Sequence, residues 1–138
     1  MSVSAIAPNG NASRYDFGKR AKFPRSARLL RHADFERVYK QGRRHFAAHI
    51  TVFYQQRAEG DGLRVGFTVG RALGGAVVRN RMKRRLREAV RLSRPQSGPS
   101  VDIVINPKKS LLTAKFADVL NEVSSAFAAI HKAVGKVT

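Results

Sequence analysis

Between Val77 and Ser93 the chain reads VVRNRMKRRLREAVRLS, and the thirteen residues from Arg79 to Arg91 carry seven Lys and Arg against a single Glu, Glu88. Like charges at helical spacing repel by roughly a few tenths of a kcal/mol per pair, so the run weakens the isolated chain unless something anionic neutralises it. Arginine suits such a partner because its planar fork grips a phosphate through two hydrogen bonds or stacks on a base, while asparagine both donates and accepts. The chemistry on offer is recognition of phosphates and bases.

Bond cleavage by the protein itself is poorly supported. Two-metal phosphodiester hydrolysis needs several carboxylates converging on the ions. The nine acids of this chain are scattered, with only Glu88, Asp102, Asp118 and Glu122 in its second half. The absence of cysteine excludes a disulfide framework, a thiol nucleophile and Cys-ligated zinc. His45 and His49 stand four apart in a segment that reads as extended, so they point different ways and are expected to be solvated or RNA-facing rather than a metal pair.

The whole chain repeats the message of the basic run. Its 138 residues suffice for one domain with a modest core, and 27 Lys and Arg against 9 Asp and Glu give a net charge of +18. That charge attracts polyanions, either nucleic acid or an anionic membrane surface. Residues 1 to 94 hold +16 of it, so binding is expected there. The amino terminus lacks the apolar core of a signal peptide, and no 18-residue apolar run exists, which points to a cytoplasmic protein. Residues 1–22, rich in Ser, Asn, Gly and Ala, read as a disordered basic tail, and residues 23–138 as a single polyanion-binding domain.

The elements that must position the run follow from hydrophobic periodicity. In RHADFERVYKQG, His32 to Asp34 start a short helix with Phe35, Val38 and Tyr39 on one face, Glu36, Arg37 and Lys40 on the other, and Gly42 as its stop. Ile50, Val52 and Tyr54 alternate in one strand; Leu63, Val65, Phe67 and Val69 alternate in the next. The Gly and Asp of the connector RAEGDGL suggest that these two strands form a hairpin, and a further short strand fits Arg43 to Ala47.

Gly74-Gly75 breaks the strand pattern, and a helix from about Ala76 to Ser93 places Val78, Met82, Leu86, Ala89 and Val90 on one side. Asn80, Lys83, Arg84, Arg87 and Arg91 fall opposite, while Arg79 lies near the apolar edge. The run VDIVIN suits a buried strand ended by Pro107. A last helix from about Thr113, its expected cap, to Val134 carries a core stripe through Phe116, Val119, Val123, Phe127 and Ile130. This order argues for an α/β sandwich with one mixed sheet, in which the basic helix links two parallel strands.

The segment VVRNRMKRRLREAVR closely resembles the Arg-Asn-Arg motif helix of the bacterial ribonuclease P protein subunit. The similarity extends from FPRSARLLRHADFERVYKQG through LRVGFTVGRALGGAVVRNR to VDIVINPKK, in the family's order and spacing. The resemblance implies an α+β two-layer sandwich of the ribosomal S5 domain 2 type, in the order αβββαβα. It further implies a left-handed βαβ crossover, against the general preference for right-handed ones.

The resemblance also implies a function. The family's protein is a subunit of a ribonucleoprotein that removes the 5′ leader from precursor tRNA, with chemistry carried by an RNA subunit that binds most of the Mg2+. The implied partners are the catalytic RNA and precursor tRNA, with a protein monomer in a 1:1 complex and neither membrane nor DNA.

Arg79, Asn80 and Arg81 match the family's defining positions, and Lys83, Arg84, Arg87, Arg91 and Arg71 extend the implied RNA face. Phe35, Tyr39 and Phe53 match aromatic positions lining a cleft for the single-stranded leader. Stacking on aromatic faces, worth roughly 1 to 3 kcal/mol per base, tolerates any leader sequence. Read from spacing alone, the same three aromatics are ordinary core.

The chain departs from the family's pattern in one loop. Many members have Lys-Lys where this chain has Arg71 and Ala72, and often an Asn where it has Gly75. The first change removes a cation that would bind phosphate, and the second a side chain that could reach metal or RNA. Two other readings remain open: a structural RNA-binding protein of ribosomal type, and a stand-alone nuclease, which the scattered carboxylates disfavour. Charge alone would also admit DNA.

Overall fold

The computed structural model describes residues 23–60, 62–95 and 98–135. The tail expected at 1–22 lies outside the described residues. Helix α1 spans His32–Gln41, strands β1, β2 and β3 span Arg43–Phe46, Ile50–Gln56 and Leu63–Phe67, and helix α2 spans Ala76–Ser93. Strand β4, Val101–Pro107, and helix α3, Phe116–Gly135, complete the order αβββαβα expected from the sequence.

The four strands form one mixed sheet in the order β1-β2-β4-β3. Strand β4 runs antiparallel to β2 and parallel to β3, so α2 is the crossover of a parallel β3–α2–β4 unit. The hairpin expected between β2 and β3 does not form, because β4 lies between them. Gly60 (φ 86°) and Gly62 (φ 75°) do reverse the chain as the composition suggests. Turn chemistry specifies reversal, however, and not which strand pairs. An almost wholly apolar strand such as β4 is buried on both faces only at the centre of the sheet. Arg57 bridges the resulting gap, donating to the carbonyls of Val101 (3.1 Å) and Gly62 (3.0 Å).

The two faces of the sheet differ. On one, Ile50, Val52, Val65, Ile103 and Ile105 pack against Met82, Leu86 and Val90 of α2 and Val123, Phe127 and Ile130 of α3. Each fully buried aliphatic side chain contributes roughly 1.5 to 3 kcal/mol relative to exposure. The stripes read from the sequence on both helices are this core. The start of the last helix differs from expectation: a 3-10 turn occupies Lys109–Leu112, and α3 begins at Phe116. Thr113 does not cap it; its hydroxyl donates back to the Ser110 carbonyl at 3.4 Å.

Helix α1 crosses the other face, which the register orders into three rows. Gln55, Asp102 and Arg64 form an ionic row. Arg44, Phe53, Val104 and Gly66 form a mostly apolar row, and Phe46, Thr51 and Asn106 a third that Thr68 extends beyond β3. Gly42 ends α1 as expected, for a steric reason: a Cβ there would lie 2.4 Å from the Val38 oxygen and 2.6 Å from the Tyr54 oxygen.

Candidate nucleic-acid interface

Helix α2 is anchored by its apolar stripe, which aims the basic face outward. Asn80, Arg81, Arg84 and Arg87 are exposed, as is Arg71 in the preceding turn. Arg79 and Lys83 are half-buried, and Arg79 donates from Nε to the Gly74 carbonyl at 3.2 Å, consistent with its place near the apolar edge. Gly75 caps the helix start in extended geometry with no side-chain hydrogen bond. A Cβ at Gly75 would meet nothing, so the glycine is not sterically required.

Two further arginines of the run are engaged within the fold. Arg85 turns inward and donates to the carbonyls of Leu111, Leu112 and Ala114, which fastens α2 to the segment before α3. Arg91 pairs with Glu88, its Nε 3.0 Å from Oε1. The Arg91 hydrogen bond holds the Glu88 carboxyl below its usual range, against the opposing effect of partial burial. Of the run, the exposed cations Arg81, Arg84 and Arg87 keep their charge uncompensated among the described residues.

The basic face is broader than the helix. Arg84, Arg87 and Arg91 share a groove with Phe23, Arg25 and Arg28 from the segment ahead of α1. Arg28 is fixed there by two bonds to the Phe23 carbonyl, 3.1 and 2.9 Å, with its guanidinium 5.3 Å from the Phe23 ring centre. Sequence reasoning misses Arg25 and Arg28, because nothing local marks them as neighbours of α2.

Phe35, Tyr39 and Phe53 come together on the α1 face, half-buried around Leu29, Val38 and Val104. Tyr39 and Phe53 meet edge to face with centroids 4.9 Å apart, and the Arg44 guanidinium sits 5.3 Å from the Phe53 ring. Phe35 lies over Gly66, where a Cβ would approach its ring to 2.5 Å. The glycine within LRVGFTV thus makes room for an aromatic from another element, which strand periodicity cannot reveal. Lys83 and Arg87 line the same groove as Phe35 and Phe67, so the basic helix and the aromatic patch adjoin.

Asp102 is the second feature hidden in the sequence. It is fully buried, yet its carboxylate receives Arg37 (2.9 Å), Arg57 (2.8 Å) and Arg64 (2.8 Å to each oxygen). Burial would raise its pKa, but the hydrogen bonds and charges of Arg64 and Arg57 outweigh that and hold the carboxyl below its usual range. Arg37, expected on the solvent side of its helix, is drawn in by this carboxylate and by Asp34 at 2.9 Å. A single acid in an otherwise apolar strand is the signal that could have exposed the cluster, because a buried charge must be paired.

His49, expected to be solvated or RNA-facing, is tied within the fold. Its Nδ1 lies 2.7 Å from Ser110 Oγ, and its backbone N–H donates to Glu122 at 2.8 Å. His45 lies in β1 opposite Val52. Among the described residues no group of three or more His, Cys, Asp or Glu could hold a metal ion, and no helix is long and apolar enough to cross a membrane.

Comparison with known proteins agrees with this geometry. The family model described as Ribonuclease P matches residues 23–131. The ribonuclease P protein component of Syntrophus aciditrophicus is 36% identical over 104 residues, covering 75% of this chain and 87% of that protein. The corresponding protein of Desulfovibrio desulfuricans is 44% identical over 92 residues, 66% of this chain and 71% of that one. Among solved structures, the RNase P protein of Staphylococcus aureus matches with a TM-score of 0.65 at 27% identity, covering 76% of this chain and 97% of that one. That of Thermotoga maritima matches with a TM-score of 0.63 at 28% identity, covering 72% and 95%. With four-fifths of its residues matched and its fold shared, the chain belongs to the ribonuclease P protein family.

Proposed function

We propose that this chain works in the cytoplasm as the protein subunit of ribonuclease P, as a monomer in a 1:1 complex with the catalytic RNA, and assists removal of the 5′ leader from precursor tRNA. The α2 face, with Arg81, Arg84 and Arg87 outward and Arg79, Asn80, Lys83, Arg91 and Arg71 around them, binds the catalytic RNA. The patch of Phe35, Tyr39 and Phe53 receives the single-stranded leader by stacking. The observation that carries this reading is the groove in which Lys83 and Arg87 meet Phe35, since it joins a phosphate-binding surface to a base-stacking one.

The chemistry falls to the RNA in this reading. Asp102 is saturated by arginines, Glu88 is bound to Arg91, and Glu122 is held by His49, so these carboxylates do not converge on an ion. The donor set does not fit a protein-built Mg2+ site, and Mg2+ belongs mainly to the RNA subunit. The protein's contribution is to hold RNA and leader in register, where oriented binding lowers the entropic part of the barrier.

Cleavage of a 5′-extended precursor tRNA at low magnesium, with bacterial ribonuclease P RNA in the presence and absence of this protein, tests the proposal. Cleavage at the mature 5′ end that requires the RNA and rises strongly with protein is the expected result. No increase would leave a structural RNA-binding protein, and cleavage by protein alone would overturn the argument from the carboxylates.

A further inference from the structure

The third row of the α1 face carries polar groups that neither the core nor the basic helix uses. Thr51 and Asn106 are half-buried and Thr68 is exposed, and α1 reaches this row through the Tyr39 hydroxyl. That hydroxyl lies 2.7 Å from Thr68 Oγ1 and 2.9 Å from Asn106 Oδ1. A phenol has one proton, and an amide oxygen can only accept. Tyr39 therefore donates to Asn106, and Thr68 must donate to Tyr39. The chain of bonds runs in one direction, from Thr68 through Tyr39 to Asn106.

This direction decides what Asn106 can offer a ligand. With Oδ1 engaged, the amide is held against rotation and leaves its NH2 group, which has no partner among the described residues. The site presents donors beside the Tyr39–Phe53 pair, where a stacked base would bring its polar edge. Uracil O4 and guanine O6 are acceptors that fit such a group, whereas the amino groups of cytosine and adenine are donors that oppose it.

We propose that Asn106 reads one base of the single-stranded leader, favouring uracil or guanine over cytosine or adenine, and that Tyr39 and Thr68 are positioning residues that orient its amide. This rests on the leader-cleft reading above and adds base selection to a platform that by stacking alone would be indifferent to sequence.

The test is binding of precursor tRNAs by the assembled RNA–protein complex, with each leader position in turn changed to the four bases. One position should favour U or G by roughly tenfold, the scale of one net hydrogen bond between matched and opposed partners. Asn106→Ala should flatten that preference, and Asn106→Asp, which offers only acceptors, should reverse it towards A or C. Tyr39→Phe keeps the ring but releases the amide, and should flatten the preference without the general loss of affinity expected of Tyr39→Ala. Thermal melting of each variant confirms that it is folded.

A U or G preference that survives Asn106→Ala, no preference at any position, or a preference for A or C in the unaltered protein would overturn the inference. Phe53→Ala separates the two levels. If it lowers affinity for every leader while Asn106 variants change nothing, the cleft stands and base selection by Asn106 falls. If it leaves the affinity gained from a leader intact, the cleft reading itself fails.

Discussion

Arginine does opposite work on the two sides of this molecule. On α2, Arg81, Arg84 and Arg87 point outward with no carboxylate partner among the described residues, and the fold leaves their mutual repulsion uncompensated. Across the sheet, Arg37, Arg57 and Arg64 converge on the fully buried Asp102 and stabilise the fold itself. Charge count treats the two groups alike. Whether an acceptor of the protein's own lies within hydrogen-bond distance separates them, and Arg85 shows that one basic helix can hold both kinds.

The largest effect should come from destroying the buried side of this contrast. Asp102→Ala leaves guanidinium groups without their shared anion and should cost about 3 to 5 kcal/mol in denaturant unfolding, the scale of breaking a buried ion pair. The pH dependence follows. Because the folded-state pKa of Asp102 is lowered, its stabilisation is complete above the ordinary carboxylate range near about pH 4 and is lost as pH falls through the lower folded value. Unfolding midpoints should fall on acidification below about pH 4 in the parent, and less steeply in an Asp102→Asn variant.

Next in size is the close approach under the aromatic patch. A methyl group at Gly66 would collide with the Phe35 ring and lie 3.0 Å from Leu29 Cβ. Gly66→Ala should therefore cost roughly 1 to 3 kcal/mol, as overpacking does, and weaken binding of leader-bearing tRNA more than of mature tRNA. Equal weakening of both would detach Phe35 from leader recognition.

Within α2 the contrast sharpens residue by residue. Arg85→Ala strips the carbonyls of Leu111, Leu112 and Ala114 and should lower stability by about 1 to 3 kcal/mol while leaving the salt dependence of RNA binding unchanged. Arg84→Ala combined with Arg87→Ala should do the reverse. It should leave the melting temperature near the parent's but reduce the salt slope of assembly by about one unit for each phosphate that is no longer neutralised.

The smallest effect belongs to the pair between these extremes. Glu88 and Arg91 are partly exposed neighbours one turn apart, so Glu88→Gln should change stability by less than about 1 kcal/mol. It also removes the one negative charge of the run and should tighten RNA binding slightly at low salt. A marked loss of stability would place this pair with the buried cluster.

How far the molecule is legible from its residues depends on the range of the signal. The bounds of the basic helix, Ala76–Ser93, follow from the Gly74-Gly75 break, the apolar period and the stretch RPQSGPS that follows at residues 94–100, all local. The stop of α1 at Gly42 and the central burial of VDIVIN are equally readable. The missing β2–β3 hairpin, the three arginines on Asp102, the space that Gly66 leaves for Phe35 and the bond from Tyr39 to Asn106 are not. Each depends on register between strands and helices far apart in the chain. A one-residue change in that register would turn Asp102, Val104 and Asn106 to the opposite face.

By itself, then, the sequence determined the elements, the core stripes, the surplus of positive charge and the kind of partner that charge requires, because propensity, period and net charge act within a few residues or over the whole chain. Only the tertiary structure decided which cations are left exposed for an outside partner and which are spent on the fold. Hydrogen bonding acts over about 3 Å, and the acceptors that claim Arg37, Arg57, Arg64 and Arg85 reach them only once the sheet is assembled.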